Sequence, residues 1–117
     1  MFPPVFKTLS TTAVTAIVGT RIGRHGEVAQ DEVRPYIVWQ IVTGQPYDNL
    51  SAAPCGDFTV VQIDCYHQTD AGVEQLATAV RAALDAKQIS NRVSVNRRDK
   101  DTRLYRVGLD ADFITDR

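Results

Sequence analysis

Residues 58–84 constrain the fold more than any other stretch, because the hydrophobic period changes once along their length. Apolar and polar residues first alternate, with Ile63 and Cys65 on one side, which is typical of a strand with one buried face. Apolar residues then recur every three or four positions, which is the pattern of an amphipathic helix. Thr69 or Asp70 can accept hydrogen bonds from the free amides of its first turn. A half-buried strand that leads into such a helix predicts a sheet with a helix packed on it.

Size and composition favour one globular domain over residues 1–117. Hydrophobic residues make up 44% of the chain and charged residues 23%, which is the ordinary globular range. The formal net charge of −1 gives no general attraction to nucleic acid or to an anionic membrane. No apolar run approaches the roughly 20 residues that span a bilayer, and the N-terminus does not read as a secretory signal. We therefore expect a soluble domain made inside the cell.

The rest of the chain adds one helix and three strands to this unit. The helix is predicted over residues 5–18, with a break near residues 10–12 favoured by its threonines and a stop at Gly19. Further strands are predicted at 36–42, 92–97 and 104–114. The order α-β-β-α-β-β predicts an α+β fold, a two-layer sandwich with helices on one face of a mainly antiparallel four-stranded sheet.

Two long connections are candidate interaction segments. Residues 19–34 have no periodic pattern, and residues 43–57 are rich in Gly, Pro, Asn, Ser and Ala. The second connection joins two strands that we expect to pair antiparallel, and it is too long for a tight turn. A mobile arm or flap is therefore predicted there. On the short strand that precedes the last hairpin, Val93 and Val95 are predicted to share one face.

Cys65 and His67 come closest to a catalytic pattern, because residues two apart on a strand share a face and could form a thiol–imidazole pair. Core packing is the stronger interpretation, since buried free cysteine is common. A metal site would also need His25 and Cys55. Structural zinc sites usually bring their ligands in close pairs, whereas only Cys65 and His67 are close here and the other two residues lie on long loops. We predict no catalytic residue, cofactor or metal ligand, and a small Cys/His-dependent enzyme remains the alternative.

Three carboxylates, on Asp64, Asp110 and Asp112, fall on the polar faces of strands that are expected to be neighbours. A pair for acid–base chemistry would need burial in a cleft that separates the two pKa values. A solvated face, or an interface face interleaved with Arg106, is the favoured interpretation.

The turn at 97–103 is highly charged. Its basic residues are Arg97, Arg98, Lys100 and Arg103. Asp99 and Asp101 offset them, which favours a solvated hairpin tip over a phosphate-binding patch. A nucleic-acid-binding module is the second alternative.

Four segments, taken in chain order, resemble one family. They are RPYIVWQ at 34–40, FTVVQIDCY at 58–66, ATAVRAAL at 77–84 and LYRVGLD at 104–110. This ordered set resembles the tail-completion, or tail-terminator, proteins of long-tailed bacteriophages and prophages over nearly the whole chain. Two places depart from the family pattern: RIG at 21–23 replaces an Ile-Tyr-Pro-like step, and Arg103 precedes LYR where glycine is frequent.

The resemblance implies a structural role in head–tail joining. Such proteins form a ring, commonly of six subunits, that caps the finished tail tube, ends tail growth and offers a surface to head-completion proteins. The implied partners are further copies of this chain, the tail tube protein and a head-completion or neck protein. No membrane is involved, and nucleic acid at most passes through the ring lumen. The implied locations are the bacterial host cytoplasm during assembly and then the virion tail or neck.

A head-to-tail ring uses two different surface patches on each subunit. We hypothesise that the 43–57 loop and the 97–103 turn supply contacts to neighbouring subunits or to tube and neck. The residues concerned are Gln45, Tyr47, Asp48, Asn49, Leu50, Arg97, Arg98, Lys100 and Arg103.

Overall fold

The structure, a computed structural model, describes residues 3–24, 34–47, 56–98, 100 and 103–116. Its elements are α1 (Val5–Leu9), α2 (Thr12–Val18), β1 (Ile22–Arg24), β2 (Tyr36–Tyr47), β3 (Gly56–His67), α3 (Asp70–Ala86), β4 (Ser90–Arg98) and β5 (Tyr105–Asp116). Within this part of the chain the strands form one five-stranded sheet in the order β1-β2-β3-β5-β4. The first pair is parallel and the other three are antiparallel. The α+β class is confirmed, whereas the prediction of four strands is wrong by one.

The additional strand, β1, lies in the 19–34 segment, for which no regular element was predicted. β1 has three residues, too few to show a period, and it pairs with residues 37–39 of β2. The preceding residue, Arg21, holds β1 beside β2 through both its backbone and its side chain. Its carbonyl accepts from the amide of Ile37 at 2.9 Å, and its Nε donates to the carbonyl of Pro35 at 2.8 Å. β1 therefore depends on the neighbouring strand more than on its own sequence.

The predicted 43–57 loop is shorter than expected, because residues 43–47 continue β2 and residues 56–57 continue β3. Pairing between the two strands runs as far as Tyr47 and Gly56. The register shifts between Ile41 and Thr43, as at a β-bulge, and β2 then continues. Gly and Pro are unfavourable inside strands, which is why composition favoured a loop here. The antiparallel pairing is confirmed, and residues 48–55 lie outside the described residues.

The main core lies between the described helices and one face of the sheet. The predicted alternation in β3 and β5 is confirmed, since the inward positions of both strands are buried. These are Val61, Ile63, Cys65, Val107, Leu109, Ala111 and Phe113. Their partners from the helices include Leu9, Val14, Val18, Leu76, Val80 and Leu84. Burial of one large aliphatic side chain contributes about 1.5–3 kcal/mol. No helix among the described residues has the length and apolarity to cross a membrane.

β4 differs from its predicted pattern because it contains an extra residue. Val93 pairs with Leu109, whereas Val95 pairs with the adjacent residue Gly108, and the register shifts between them. Val93 and Val95 therefore face opposite sides of the sheet, and the prediction that they share one face is wrong. The intervening Ser94 donates from its hydroxyl to the carbonyl of Gly108 at 3.3 Å.

Candidate interaction surfaces

Cys65 and His67 occupy positions suited to packing. Cys65 is fully buried, and burial, assisted by the Asp64 carboxylate, raises the pKa of its thiol far above the usual range. Nδ1 of His67 accepts a hydrogen bond from the backbone amide of Thr69 at 3.2 Å, and burial lowers the pKa of this imidazole. A protonated thiol in apolar surroundings is unreactive. The arrangement therefore favours the packing interpretation over the enzyme alternative.

Among the described residues, no group of three or more His, Cys, Asp or Glu side chains is placed to hold a metal ion. His25 and Cys55, the other two residues considered as ligands, lie outside the described part of the chain.

The sheet face opposite the helices carries a row of connected polar side chains. Nε2 of Gln40 donates to Oε1 of Gln62 at 3.3 Å, and Nε2 of Gln62 donates to Oδ1 of Asp64 at 3.4 Å. The Arg106 guanidinium donates to the same Oδ1 through Nε at 3.2 Å and Nη2 at 3.1 Å. Only 7% of Asp64 is exposed, so the expectation of a solvated carboxylate is wrong at this residue. The alternative of a face interleaved with Arg106 agrees with this ion pair.

Space for the buried carboxylate comes from Gly108. A Cβ atom at this residue would lie 2.9 Å from Oδ1 of Asp64 and 3.2 Å from Cβ of Val95. Near the β4–β5 turn the same face is apolar, and the rings of Tyr36 and Tyr66 stack with centroids 4.7 Å apart. The cluster around this stack also contains Val38 and Leu104. This face therefore has a small apolar cluster of its own beside the polar row.

The other two predicted carboxylates have separate partners. Asp112 forms an ion pair with Arg92 at 3.2 Å, and Asp110 accepts a hydrogen bond from the hydroxyl of Ser94 at 3.4 Å. The Arg92 side chain is 53% exposed, and such exposed pairs contribute about 0–1 kcal/mol to stability. Asp110 and Asp112 thus lie on the predicted face, where their contacts join β4 to β5.

The residues hypothesised to contact partners fall at opposite ends of the sheet. Those of the basic turn are exposed: Arg97, Arg98, Lys100 and Arg103. Gln45 and Tyr47 lie at the far end of β2, where Tyr47 pairs with Gly56. Asp48, Asn49 and Leu50 lie outside the described residues.

Sequence reasoning missed the form of this far end, which is a three-stranded extension of the sheet. We call it the distal arm: residues 42–47 of β2, 56–60 of β3 and 112–116 of β5. β1 pairs only with residues 37–39 of β2, and β4 begins opposite Asp112. Most of each outer edge of the arm therefore has no strand partner among the described residues. One signal was present in the sequence, because Ile114 is apolar at a position where the β5 alternation calls for a polar residue.

Comparisons with known proteins give a family and a likeness in fold to solved structures. The family model described as "Tail completion protein gp17" matches residues 3–116. A chain of the solved structure "Virion of native gene transfer agent (GTA) particle" superposes with a TM-score of 0.71 at 17% sequence identity, covering 97% of this chain and 92% of that chain. At this identity the likeness concerns the fold alone. No curated protein matches the sequence.

Proposed function

The chain belongs to the tail completion protein gp17 family, and from this premise we propose that it assembles as a ring that caps a finished tail tube. Family membership gives the protein a structural role in virion assembly. The proposed ring, of six copies, ends tail growth and presents a surface to a head-completion or neck protein. The observation that carries this proposal is the family match, which spans residues 3–116 and therefore nearly the whole fold.

Two separate surfaces support a ring with partners above or below it. A head-to-tail ring needs two different patches on each subunit, and further partners need surfaces that remain free. We assign the distal arm and the 43–57 segment to contacts between neighbouring copies. The basic turn at 97–103, at the opposite end of the sheet, is assigned to the tube or neck protein. Assembly would take place in the bacterial host cytoplasm, with DNA at most passing through the lumen.

Deletion of residues 46–55, replaced by a short Gly-Ser turn, tests the subunit contact. We expect a folded monomer that no longer forms rings. The deletion removes the paired end of β2 that holds the arm edge in place, and it spares the helix-covered core. Native mass spectrometry and negative-stain microscopy would measure assembly, and circular dichroism would measure folding. Thr78→Ala, at an exposed position of α3, is the matched control and should retain rings. Rings and controlled tail length in the deletion variant would contradict this assignment.

Two alternatives from other classes have their own tests. A Cys65-dependent enzyme should lose activity rapidly on alkylation, whereas a fully buried thiol should react slowly or only as the protein unfolds. A nucleic-acid-binding module should bind duplex DNA with an affinity that falls steeply as salt increases. Absence of binding at low salt removes the second alternative.

A further inference from the structure

We propose that neighbouring copies join edge to edge through their distal arms, with β5 of one copy pairing in parallel with β2 of the next. This inference rests on the proposed ring and names the contact that builds it. The pairing segments are residues 42–45 of β2 and 113–116 of β5. Pro46 sets the limit on the β2 side, because proline has no amide hydrogen to donate.

The arm edges differ from the outer edge of β4 in carrying fewer charges. An exposed strand edge presents unpaired N–H and C=O groups, and proteins commonly guard such edges with charges or bulges. β4 has both devices, since it carries Arg92, Arg97 and Arg98 and its register shifts around Ser94. β1 covers the other side of the sheet along the first part of β2. On the arm, β2 has the register shift between Ile41 and Thr43 and also Pro46, and β5 ends in Asp116, but residues 43–45 and 113–115 contain no charged residue. Among the described residues, these two stretches are therefore the arm-edge positions at which a partner strand meets no charge.

Each arm edge also displays a large apolar side chain. Ile114 on β5 is 61% exposed and Val42 on β2 is 48% exposed. Both residues are β-branched, a type that packs well between paired strands. They lie on opposite sides of β3, so one copy cannot bring them together. A head-to-tail contact places the Ile114 edge of one subunit against the Val42 edge of its neighbour, and each side chain then gains a neighbouring strand to pack against.

Strand direction decides how the two edges meet. β2 and β5 both run antiparallel to β3 and therefore run in the same direction. Rotation about a ring axis that runs roughly along the strands preserves this direction, so the β5 edge of one copy meets the β2 edge of the next in parallel. Because the two edges are different, the contact is head-to-tail and can close into a ring. A two-fold dimer would instead pair like edges, β2 with β2 or β5 with β5, in antiparallel fashion.

Cysteine cross-linking tests the contact directly. Val42→Cys and Ile114→Cys are combined in a Cys55→Ser background, with the buried Cys65 retained, and the protein is treated with a short bismaleimide. We expect a ladder of covalent multimers that ends at the ring size seen by native mass spectrometry. The matched control combines Phe6→Cys and Val93→Cys, which replace side chains that are each 49% exposed but lie outside the arm. It should give no ladder. The same reaction is run on purified protein and on assembled tails.

A charge placed on the edge provides the second measurement. Ile114→Lys should abolish rings and leave the unfolding transition of the monomer in place, because this side chain is mostly exposed. Val93→Lys is the matched control and should retain rings.

The outcomes separate this inference from the proposed function. Rings that form without arm cross-links, or that survive Ile114→Lys, overturn the edge contact but leave the proposed capping ring unaffected. Covalent dimers from Val42→Cys alone or Ile114→Cys alone indicate pairing of like edges and overturn the head-to-tail contact. Absence of rings both in solution and on tails overturns the proposed function and, with it, this contact.

Discussion

Burial of the Asp64 carboxylate depends on Gly108, because a side chain at Gly108 would occupy the space next to this carboxylate. Asp64 accepts two hydrogen bonds from the Arg106 guanidinium on a face where it is only 7% exposed. Removal of one partner from such a pair leaves a desolvated charge behind, which costs more than the pair contributes. The sequence places these residues on one face, but it gives no distance between them.

Gly108→Ala tests this unit. The new Cβ would lie 2.9 Å from Oδ1 of Asp64, and we expect the free energy of unfolding to fall by about 1–3 kcal/mol, as is typical of overpacking. Urea unfolding measures the change. In an Asp64→Ala background the cost should shrink, because the closest atom is gone. Equal costs in the two backgrounds would contradict the role assigned to the carboxylate.

His67 makes the start of α3 sensitive to pH. Its ring lies against Gly72, where a Cβ atom would overlap it, and its Nδ1 must be unprotonated to accept from the Thr69 amide. Two other titratable residues are close to His67 in the fold: Asp70 begins the helix, and Tyr105 pairs with His67 on the neighbouring strand. Burial nevertheless lowers the pKa of His67 from its usual value of 6.5. Protonation therefore costs more in the folded than in the unfolded protein.

The expected result is a free energy of unfolding that is insensitive to His67 above pH 6.5. It should fall as the pH drops through the lowered pKa of His67. Chemical denaturation at pH 7.5 and 5.5 measures this fall. His67→Asn keeps an acceptor for the helix but does not titrate, so the free energy of unfolding of this variant should fall less between the two pH values. A fall of equal size in both proteins would assign the pH dependence to other groups.

The helix α3 ends in a motif that normally uses glycine. The amide of Ile89 donates to the carbonyl of Leu84 at 3.0 Å, and the amide of Gln88 donates to that of Asp85 at 2.9 Å. These are the two hydrogen bonds of a Schellman motif. Gln88 has a φ of 59°, in the left-handed region that strains a residue with a Cβ. The stop is therefore set by hydrogen bonding and by the packing of Ile89 against the core.

Gln88→Gly should stabilise the protein by about 0.5–1 kcal/mol, because glycine adopts this conformation without strain. Thermal unfolding would show a higher midpoint temperature. Lys87→Gly is the matched control, since Lys87 has a φ of −99° and the substitution relieves no backbone strain there. It should be neutral or destabilising, and similar effects from both substitutions would contradict the strain argument.

The molecule is elongated, with principal extents of 49 × 27 × 21 Å, and its ends differ in chemistry. One end of the sheet carries the exposed basic turn, and the other is the distal arm. In the proposed assembly the arm joins copies to one another and the turn faces a different partner. An elongated subunit of this kind would give the proposed ring two unlike sides, as the proposed position between a tail and a head requires.

Arg97→Ser combined with Lys100→Ser should weaken attachment to the tube or neck partner and reduce its dependence on salt, while rings persist. Co-sedimentation with tails at low and high salt measures attachment. Lys7→Ser with Lys87→Ser removes the same charge at other exposed positions and should have little effect. If both double variants attach equally, the contact lies elsewhere.

The sequence by itself determined the faces of β3, β5 and α3, because hydrophobic period is a local property of each element. It also determined the family, through four segments that occur in order. The tertiary structure decided the rest. β1 forms beside β2, the arm continues through Gly44 and Pro46 because β3 pairs with them, and one extra residue in β4 separates Val93 from Val95. The contacts assigned to 43–57 and 97–103 stay predictions. Register, bulges and the burial of Asp64 depend on neighbours distant in the chain, which no local pattern encodes.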